Sequence, residues 1–312
     1  MKIVYMGTPD FALFSLSALF SDGHEIALVV TQPDKPKGRG HKLQAPPVKE
    51  FAIANNIPVY QPQSAKSDEV YEYLKTFNAD IFIVAAYGQI LPQRILDIPK
   101  YGCINIHASL LPKYRGAAPI QWSIINGETV TGVTTMQMNA GLDTGDILVK
   151  EEVKIEPSDT GETLHDKLAQ AGVTAIRETI KQIENGSLSP KKQDDSKSCY
   201  APMIDKTTGY ISFLKSANEI NNLVRALNPY PYASTTYKGV RFKVISSKVI
   251  PEHSQGTLGE IKKVDKNGIY VVTSDGVLLI TDVQFEGKKK MPVAEYIKGN
   301  KIEIGVILGD EQ

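Results

Sequence analysis

Asn105 and His107 stand two residues apart in "CINIHAS", a run otherwise suited to a buried strand. Side chains alternate between the faces of a strand, so these two point one way and Ile104 and Ile106 the other. A buried polar group left without a partner costs about 1–3 kcal/mol, so a polar pair on one face at a strand end implies either a local network or a ligand. A single histidine at such a place is more often a hydrogen-bonded core residue; its pairing with Asn105 is what favours chemistry. A third group, Asp143, lies between Gly141 and Gly145 in "NAGLDTGDIL", on a loop after another strand, and taken alone reads as a turn residue. Together the three offer an amide donor for a developing oxyanion, an imidazole that carries a proton near neutral pH, and a carboxylate to orient it or take a proton. That set suits acyl transfer to an amine. No serine or cysteine stands beside a base in the sequence, which favours direct transfer through a tetrahedral intermediate over a covalent acyl-enzyme.

The elements that must position these groups follow from the patterning. The first half alternates apolar runs ("KIVYMG", "EIALVVT", "DIFIVAAYG", "CINIHAS") with amphipathic stretches such as "PDFALFSLSALFSDG" and "SDEVYEYLKTFN", the signature of parallel βαβ units covered on both sheet faces. A doubly wound, Rossmann-like α/β domain is expected over residues 1–186. In such sheets ligands bind beyond the carboxyl ends of the strands, near the point where strand order reverses, and "CINIHAS" is expected to end there. "TGVTTMQMN" and "DILVKEEVKI" read as a closing hairpin, and the segment from Ser158 to Gly186 as a long final helix. Residues 187–206 lose periodicity and collect Ser, Pro, Lys and Asp, which reads as a linker. Beyond it, over 207–312, a short helix in "SANEINNLVRALNPYP" precedes several punctuated short strands, the pattern of a small β-barrel domain.

Composition narrows the class. With 35 basic and 35 acidic residues and 42% hydrophobic residues, the chain reads as a globular protein rather than a disordered or fibrous one. Cys103 and Cys199 are isolated, so neither a disulfide framework nor a zinc site is expected, and no metal is called for. The chain begins in a strand, and no apolar run approaches the roughly 18 residues of a membrane span, so a reducing cytoplasm without membrane attachment is the expected setting. From Lys206 onward 15 basic residues face 11 acidic ones, a modest excess that solubility alone could explain. A dinucleotide site after the first strand is disfavoured, because "MGTPDFA" does not spell G-x-G-x-x-G and sets Asp10 where a pyrophosphate needs bare backbone.

The stretch "NIHASLLPKYRGAAPIQWSIINGETVTGVTTMQMNAGLDTGDIL" resembles the signature of the methionyl-tRNA formyltransferase family. "MGTPDFA", "TQPDKPKGRGHKLQAPPVKEFA", "AAYGQILP" and "RALNPYP" match the family in the same order, so the likeness spans nearly the whole chain. The resemblance implies a doubly wound N-terminal domain, a small OB-like C-terminal barrel, N10-formyltetrahydrofolate as formyl donor and initiator Met-tRNA as acceptor. It places catalysis on Asn105, His107 and Asp143, and tetrahydrofolate contacts on Ser109, Leu110, Leu111 and Pro112. The pterin is expected near Tyr87, Gly88, Gln89 and Ile90 and near Asn139, Ala140, Gly141 and Leu142. In the basic loop "DKPKGRGHKLQ", which alone reads as a solvated loop, Arg39 matches a tRNA-contacting arginine, with Lys37 and Lys42 beside it. In the C-terminal part Lys206, Arg241 and Lys243, and more loosely Lys262, Lys263 and the lysines at 288–290, are expected to grip the tRNA backbone.

Many family members carry a lysine after "YA" where this chain has Pro202 and Met203, so Lys206 is the nearest cation in the linker. Lys113 and Arg115 are left open among tRNA, folate and solvent. The same fold and triad would serve a glycinamide ribonucleotide formyltransferase, which lacks the G-R-G insertion and the barrel, or a UDP-amino-sugar formyltransferase, which does not typically carry "GLDTGD". An RNA-binding module with a structural triad is the non-enzymatic alternative. No obligate protein partner is evident, and a monomer is expected.

Overall fold

The protein is described by a computed structural model that covers residues 1–37, 42–252 and 255–309. It divides into two compact units: the first is Met1–Pro119, Val130–Lys154 and His165–Ala201, and the second groups Ile120–Thr129, Ile155–Leu164 and the chain from Pro202 onward.

In the first unit the strands are β1 (Lys2–Gly7), β2 (Glu25–Val30), β3 (Lys35–Lys37), β4 (Lys42–Gln44), β5 (Val59–Tyr60), β6 (Ile81–Ala85), β7 (Cys103–His107), β8 (Arg115–Gly116), β9 (Val130–Gln137), β10 (Ile147–Lys154) and β11 (Tyr200–Ala201). Helices α1 (Asp10–Ser21), α2 (Pro47–Ala54), α3 (Asp68–Lys75) and α4 (Gln93–Leu96) connect the early strands; α5 (Pro119–Ile125) and α6 (Gly161–Glu184) follow, each divided between the units. Seven strands form one sheet in the order β10-β9-β7-β6-β1-β2-β5, parallel from β5 to β7 and closed on the far side by antiparallel β9 and β10. Continuous apolar runs explain the parallel part: β6, Ile81–Ala85, is buried at every position, as a strand covered on both faces must be. The chain runs outward from β1 through β2 to β5 and then returns to β6, so strand order reverses between β1 and β6. Asn105 and His107 therefore emerge one strand beside that point rather than at it.

Local chemistry fixes the first turn. A Cβ on Gly7 would fall 2.6 Å from the Ala12 Cβ and 3.0 Å from the Ala85 carbonyl oxygen, so only glycine lets β1 feed α1 this closely. The alternation read in β7 is present: Ile106 lies against Gly172 of α6, whereas Cys103, two and four residues before Asn105 and His107, is buried with Val84, Leu91 and Ile95. Burial pushes the Cys103 thiol up, which leaves it inert.

The second unit contains α7 (Ala217–Ala226), β12 (Ala233–Tyr237), β13 (Val240–Ile250), β14 (Ile261–Asp265), β15 (Gly268–Val272), β16 (Val277–Phe285), β17 (Met291–Pro292) and α8 (Val293–Tyr296). Its strands form an antiparallel sheet, β12-β13-β16-β15-β14, with β17 added to β16. Among the described residues β12 and β14 do not pair directly; the segment 305–309 bridges these edges, with the Ile261 N–H donating to the Val306 carbonyl at 2.9 Å and the Gly309 N–H to the Thr236 carbonyl at 3.0 Å. The unit's core stacks Phe242 on Phe285 and Phe285 on Tyr296, at ring separations of 4.6 and 4.3 Å. Helix α7 begins with a capping box in which Ser216 and Glu219 satisfy each other's backbone amides, and it buries Ile220, Leu223 and Val224.

Residues 187–206 differ from the linker that composition suggests. Lys191 exchanges two backbone hydrogen bonds with Ile147, and Tyr200–Ala201 pair in parallel with Arg115–Gly116. The polar composition follows from their exposure; backbone pairing, which composition does not report, ties 191–201 to the first unit.

Candidate active site

Strand β7 presents Asn105 and His107 on one face, and the β9–β10 connection brings Asp143 to them. Antiparallel pairing sets Gln137, the last residue of β9, opposite Ile104, so the connection starts near the beginning of β7 and must cross its face. The loop closes through the Gln137 N–H, which donates to the Asp146 carbonyl at 2.9 Å. Gly145 permits that approach, since a Cβ there would lie 1.6 Å from the Gln137 carbonyl oxygen. Asp143 adopts φ of 53°, a left-handed conformation that aspartate tolerates better than most residues.

The three groups meet. Asn105 Nδ2 donates to Asp143 Oδ1 at 3.5 Å, the outer limit of a hydrogen bond, and His107 Nδ1 faces Asp143 Oδ2 at 3.7 Å. Both partners of the second pair are nearly buried, with 7% and 11% of their side chains exposed, so water screens the pair little. His107 Nε2 lies 2.9 Å from the Tyr114 carbonyl. A carbonyl oxygen only accepts, so Nε2 carries its hydrogen there and Nδ1 is the nitrogen left for proton exchange. Asp143 Oδ2 in turn accepts from the Gly116 N–H at 2.8 Å. Holders of both side chains thus come from the turn after β7.

The remaining expected residues divide by environment. Ser109 is fully buried; its Oγ donates to the Lys113 carbonyl at 2.6 Å, and its own carbonyl accepts from Thr134 Oγ1 at 2.7 Å. Leu111 is equally buried, with its N–H donated to Thr134 Oγ1. These two shape the turn from within, while Leu110 and Pro112 are half-buried. The Tyr87 carbonyl accepts from Thr8 Oγ1 and Gln32 Nε2, which ties the loop after β6 to the ends of β1 and β2. Gly88 follows at φ of 84°. Gln89 turns to the 62–65 segment, accepting from the Ala65 N–H at 2.7 Å, and so does not face β7 by its amide. Asn139 Oδ1 accepts from Gly141 N–H and Thr144 Oγ1, closing the start of an exposed loop that includes Ala140.

Those two loops follow the strands on either side of β7, and they leave Ile90 and Leu142 70% and 55% exposed. The Tyr87 hydroxyl is buried without a hydrogen-bond partner in the structure, and burial pushes its pKa up to about 12. Among the described residues no group of three or more His, Cys, Asp or Glu is placed to hold a metal ion, and no helix is long and apolar enough to cross a membrane.

Of the basic residues, Arg39 lies outside the described residues. Lys37 and Lys42 are paired opposite each other in the β3–β4 hairpin by their backbones. In the second unit Lys206, Arg241 and Lys243 line one cleft of about 360 Å³ together with Tyr230, Phe242 and Phe285. Arg241 stacks 4.8 Å from the Tyr210 ring centre, and Lys243 and Lys290 both approach the Tyr232 ring. Lys262 and Lys263 are instead matched to Glu260 and Asp265, which reduces their net attraction for a phosphate.

Sequence reasoning missed the Tyr114 carbonyl, the Gly116 amide and Gln193, whose side chain donates to the Asp143 and Gly145 carbonyls. Gly116 is nonetheless constrained to its residue type. At φ of 116° it packs where a Cβ would fall 2.8 Å from the Ala201 carbonyl oxygen, a glycine-only position.

The family described as formyl transferase matches residues 1–180, and the formyl transferase C-terminal domain matches 203–301. The methionyl-tRNA formyltransferase of Clostridioides difficile (strain 630) is 54% identical over 309 residues, covering 99% of this chain and 100% of the relative. That of Acetivibrio thermocellus is 52% identical over 310 residues, again 99% and 100%. Among solved structures, WlaRD, a sugar 3N-formyl transferase crystallised in the presence of dTDP and 5-N-formyl-THF, superposes with a TM-score of 0.68 at 25% identity, covering 93% of this chain and 99% of that one. HypX from Aquifex aeolicus, in complex with tetrahydrofolic acid, shares the fold at a TM-score of 0.65 and 17% identity, over 98% of this chain and 50% of its own.

Proposed function

Because the chain belongs to the methionyl-tRNA formyltransferase family, we infer that it moves the formyl group of N10-formyltetrahydrofolate onto the free amino group of methionine carried by initiator tRNA, in the cytoplasm, for translation initiation. The observation that carries the mechanism is the meeting of Asn105, His107 and Asp143 within 3.7 Å on one face of β7.

The neutral methionyl amine attacks the formyl carbon, a new C–N bond forms, and negative charge gathers on the formyl oxygen. Asn105 is suited to receive that charge, because its contact with Asp143 is so long that Nδ2 can turn to a better acceptor at little cost. His107 supplies a proton from Nδ1 to N10 as the carbon–N10 bond breaks and tetrahydrofolate leaves. Asp143 faces that same nitrogen and takes up the proton released by the amine, directly or through water. One proton leaves the amine and one reaches N10, so the transfer balances. His107 Nδ1 and Asp143 Oδ2, 3.7 Å apart, are expected to close to hydrogen-bond distance in the reacting complex.

For the folate, the exposed surfaces around Tyr87–Ile90 and Asn139–Leu142 serve as the pterin's walls, with Leu110 and Pro112 facing it and Ser109 and Leu111 holding their turn. For the tRNA, the cleft of Lys206, Arg241 and Lys243 binds backbone phosphates, and Lys37, Lys42 and Arg39, the last outside the described residues, meet the acceptor end.

Incubation with N10-formyltetrahydrofolate and, separately, Met-tRNA, glycinamide ribonucleotide or a UDP-amino sugar tests this reading. Formylation of Met-tRNA alone is expected. Faster formylation of either small amine, or tRNA binding without transfer, would overturn it.

A further inference from the structure

We propose that Gln193, in the stretch whose composition suggests a linker, is a positioning residue for Asp143. The inference rests on the catalytic reading of Asn105, His107 and Asp143. Both ends of the Gln193 amide are used: Nε2 donates to the carbonyls of Asp143 and Gly145, each at 2.8 Å, and Oε1 accepts from Arg115 Nε and Nη2 at 3.0 and 2.8 Å. A guanidinium only donates and a carbonyl only accepts, so the partners fix which end of the amide is which.

Arg115 stands between two residues the site already depends on. The carbonyl of Tyr114 holds His107 Nε2, and the N–H of Gly116 holds Asp143 Oδ2. Gln193 therefore joins the backbone of the Asp143 loop to the turn that holds both side chains. Its own place is set from either side, by the Lys191–Ile147 backbone pair and by the pairing of Tyr200–Ala201 with Arg115–Gly116. Asp143 needs such a clamp. Its backbone is left-handed, its loop is exposed from Asn139 to Leu142, and its carboxylate is offered to His107 at a distance too long for a hydrogen bond to hold it. Misplacement of a reacting group by about 1 Å can cost on the order of 10²-fold in rate.

Two substitutions separate positioning from ordinary anchoring. Gln193→Ala removes every contact, and a fall in kcat of about 10- to 100-fold is expected, with KM for both substrates within about twofold. Gln193→Glu is isosteric and keeps an acceptor for Arg115, now as an ion pair, but loses both donors and sets a carboxylate against two carbonyl oxygens. Positioning predicts that Gln193→Glu is as slow as Gln193→Ala or slower. If Gln193 only anchored Arg115, the glutamate variant would restore full activity. Asp143→Asn run alongside keeps the readings apart: near-full activity in that variant would overturn the catalytic assignment itself. Slow Asp143→Asn with near-full kcat in Gln193→Glu would overturn the role of Gln193. Should Gln193→Ala not fold, the isosteric variant carries the test by itself.

Discussion

Asp143 joins a special backbone to a charge, and substitution separates the two. Asparagine tolerates φ of 53° and keeps the size of the side chain, so Asp143→Asn should leave the thermal midpoint nearly unchanged while slowing single-turnover transfer by roughly 10²-fold or more. A large fall in the midpoint would show instead that the carboxylate is structural. Gly145→Ala is the converse case. Its Cβ would sit 1.6 Å from the Gln137 carbonyl oxygen, so about 3 kcal/mol of stability is expected to be lost by denaturant titration, with activity lost in step. Asn105 and His107 were legible in the sequence because their side-chain types contradict a core strand, whereas Asp143 alone reads as a turn residue and stood out only beside that pair. The Tyr114 carbonyl and Gly116 amide were not legible, because every residue type carries such backbone groups and only folding aims them.

The β3–β4 hairpin shows an element set by its base. Lys49 Nζ donates to both oxygens of Asp34, at 2.9 and 2.8 Å, and Gln61 Nε2 donates to Asp34 Oδ1 and to the Gln32 carbonyl. The Gln61 hydrogen bond, and then Lys49, hold the Asp34 carboxyl below its usual range. A depressed carboxyl stabilises the fold above its unfolded pKa, near 4, and that contribution is lost as pH falls through the lower folded value. The clamp is thus intact at neutral pH and released only in acid. Lys49→Met should speed amide exchange in the hairpin and weaken use of Met-tRNA while leaving tetrahydrofolate affinity alone; equal loss of both would contradict a tRNA-facing hairpin. The parallel strands were readable from their apolar runs, and α7 from the short helical stretch ahead of Asn228 and Pro229. The hairpin read only as a basic loop, since Lys35–Lys37 and Lys42–Gln44 are too short and too polar to show a strand period.

At the scale of the molecule, the two units are not separated by one cut in the chain. Residues 120–129 and 155–164 group with the second unit, where Ile125 packs on its core and Arg225 donates to the Glu156 and Asp159 carbonyls. Composition marks where polarity changes and not which segments pack together, so a boundary near residue 206 looked natural in sequence. A chain ending there exposes apolar surface in both crossing segments and is expected to aggregate or unfold below the full chain's midpoint. If tRNA is held by the cleft of Lys206, Arg241 and Lys243, replacing Arg241 and Lys243 with alanine lowers the slope of log affinity against log salt by roughly one to two, and an unchanged slope would remove them from the interface. All of these readings depend on the chemistry at β7. The most direct measurement is single-turnover formyl transfer from N10-formyltetrahydrofolate to Met-tRNA by the intact protein and by its Asn105→Ala and His107→Ala variants. A loss of roughly 10²- to 10³-fold for Asn105→Ala and 10²- to 10⁴-fold for His107→Ala is expected, with folded protein in each case. Near-full rates in either variant would contradict the assignment.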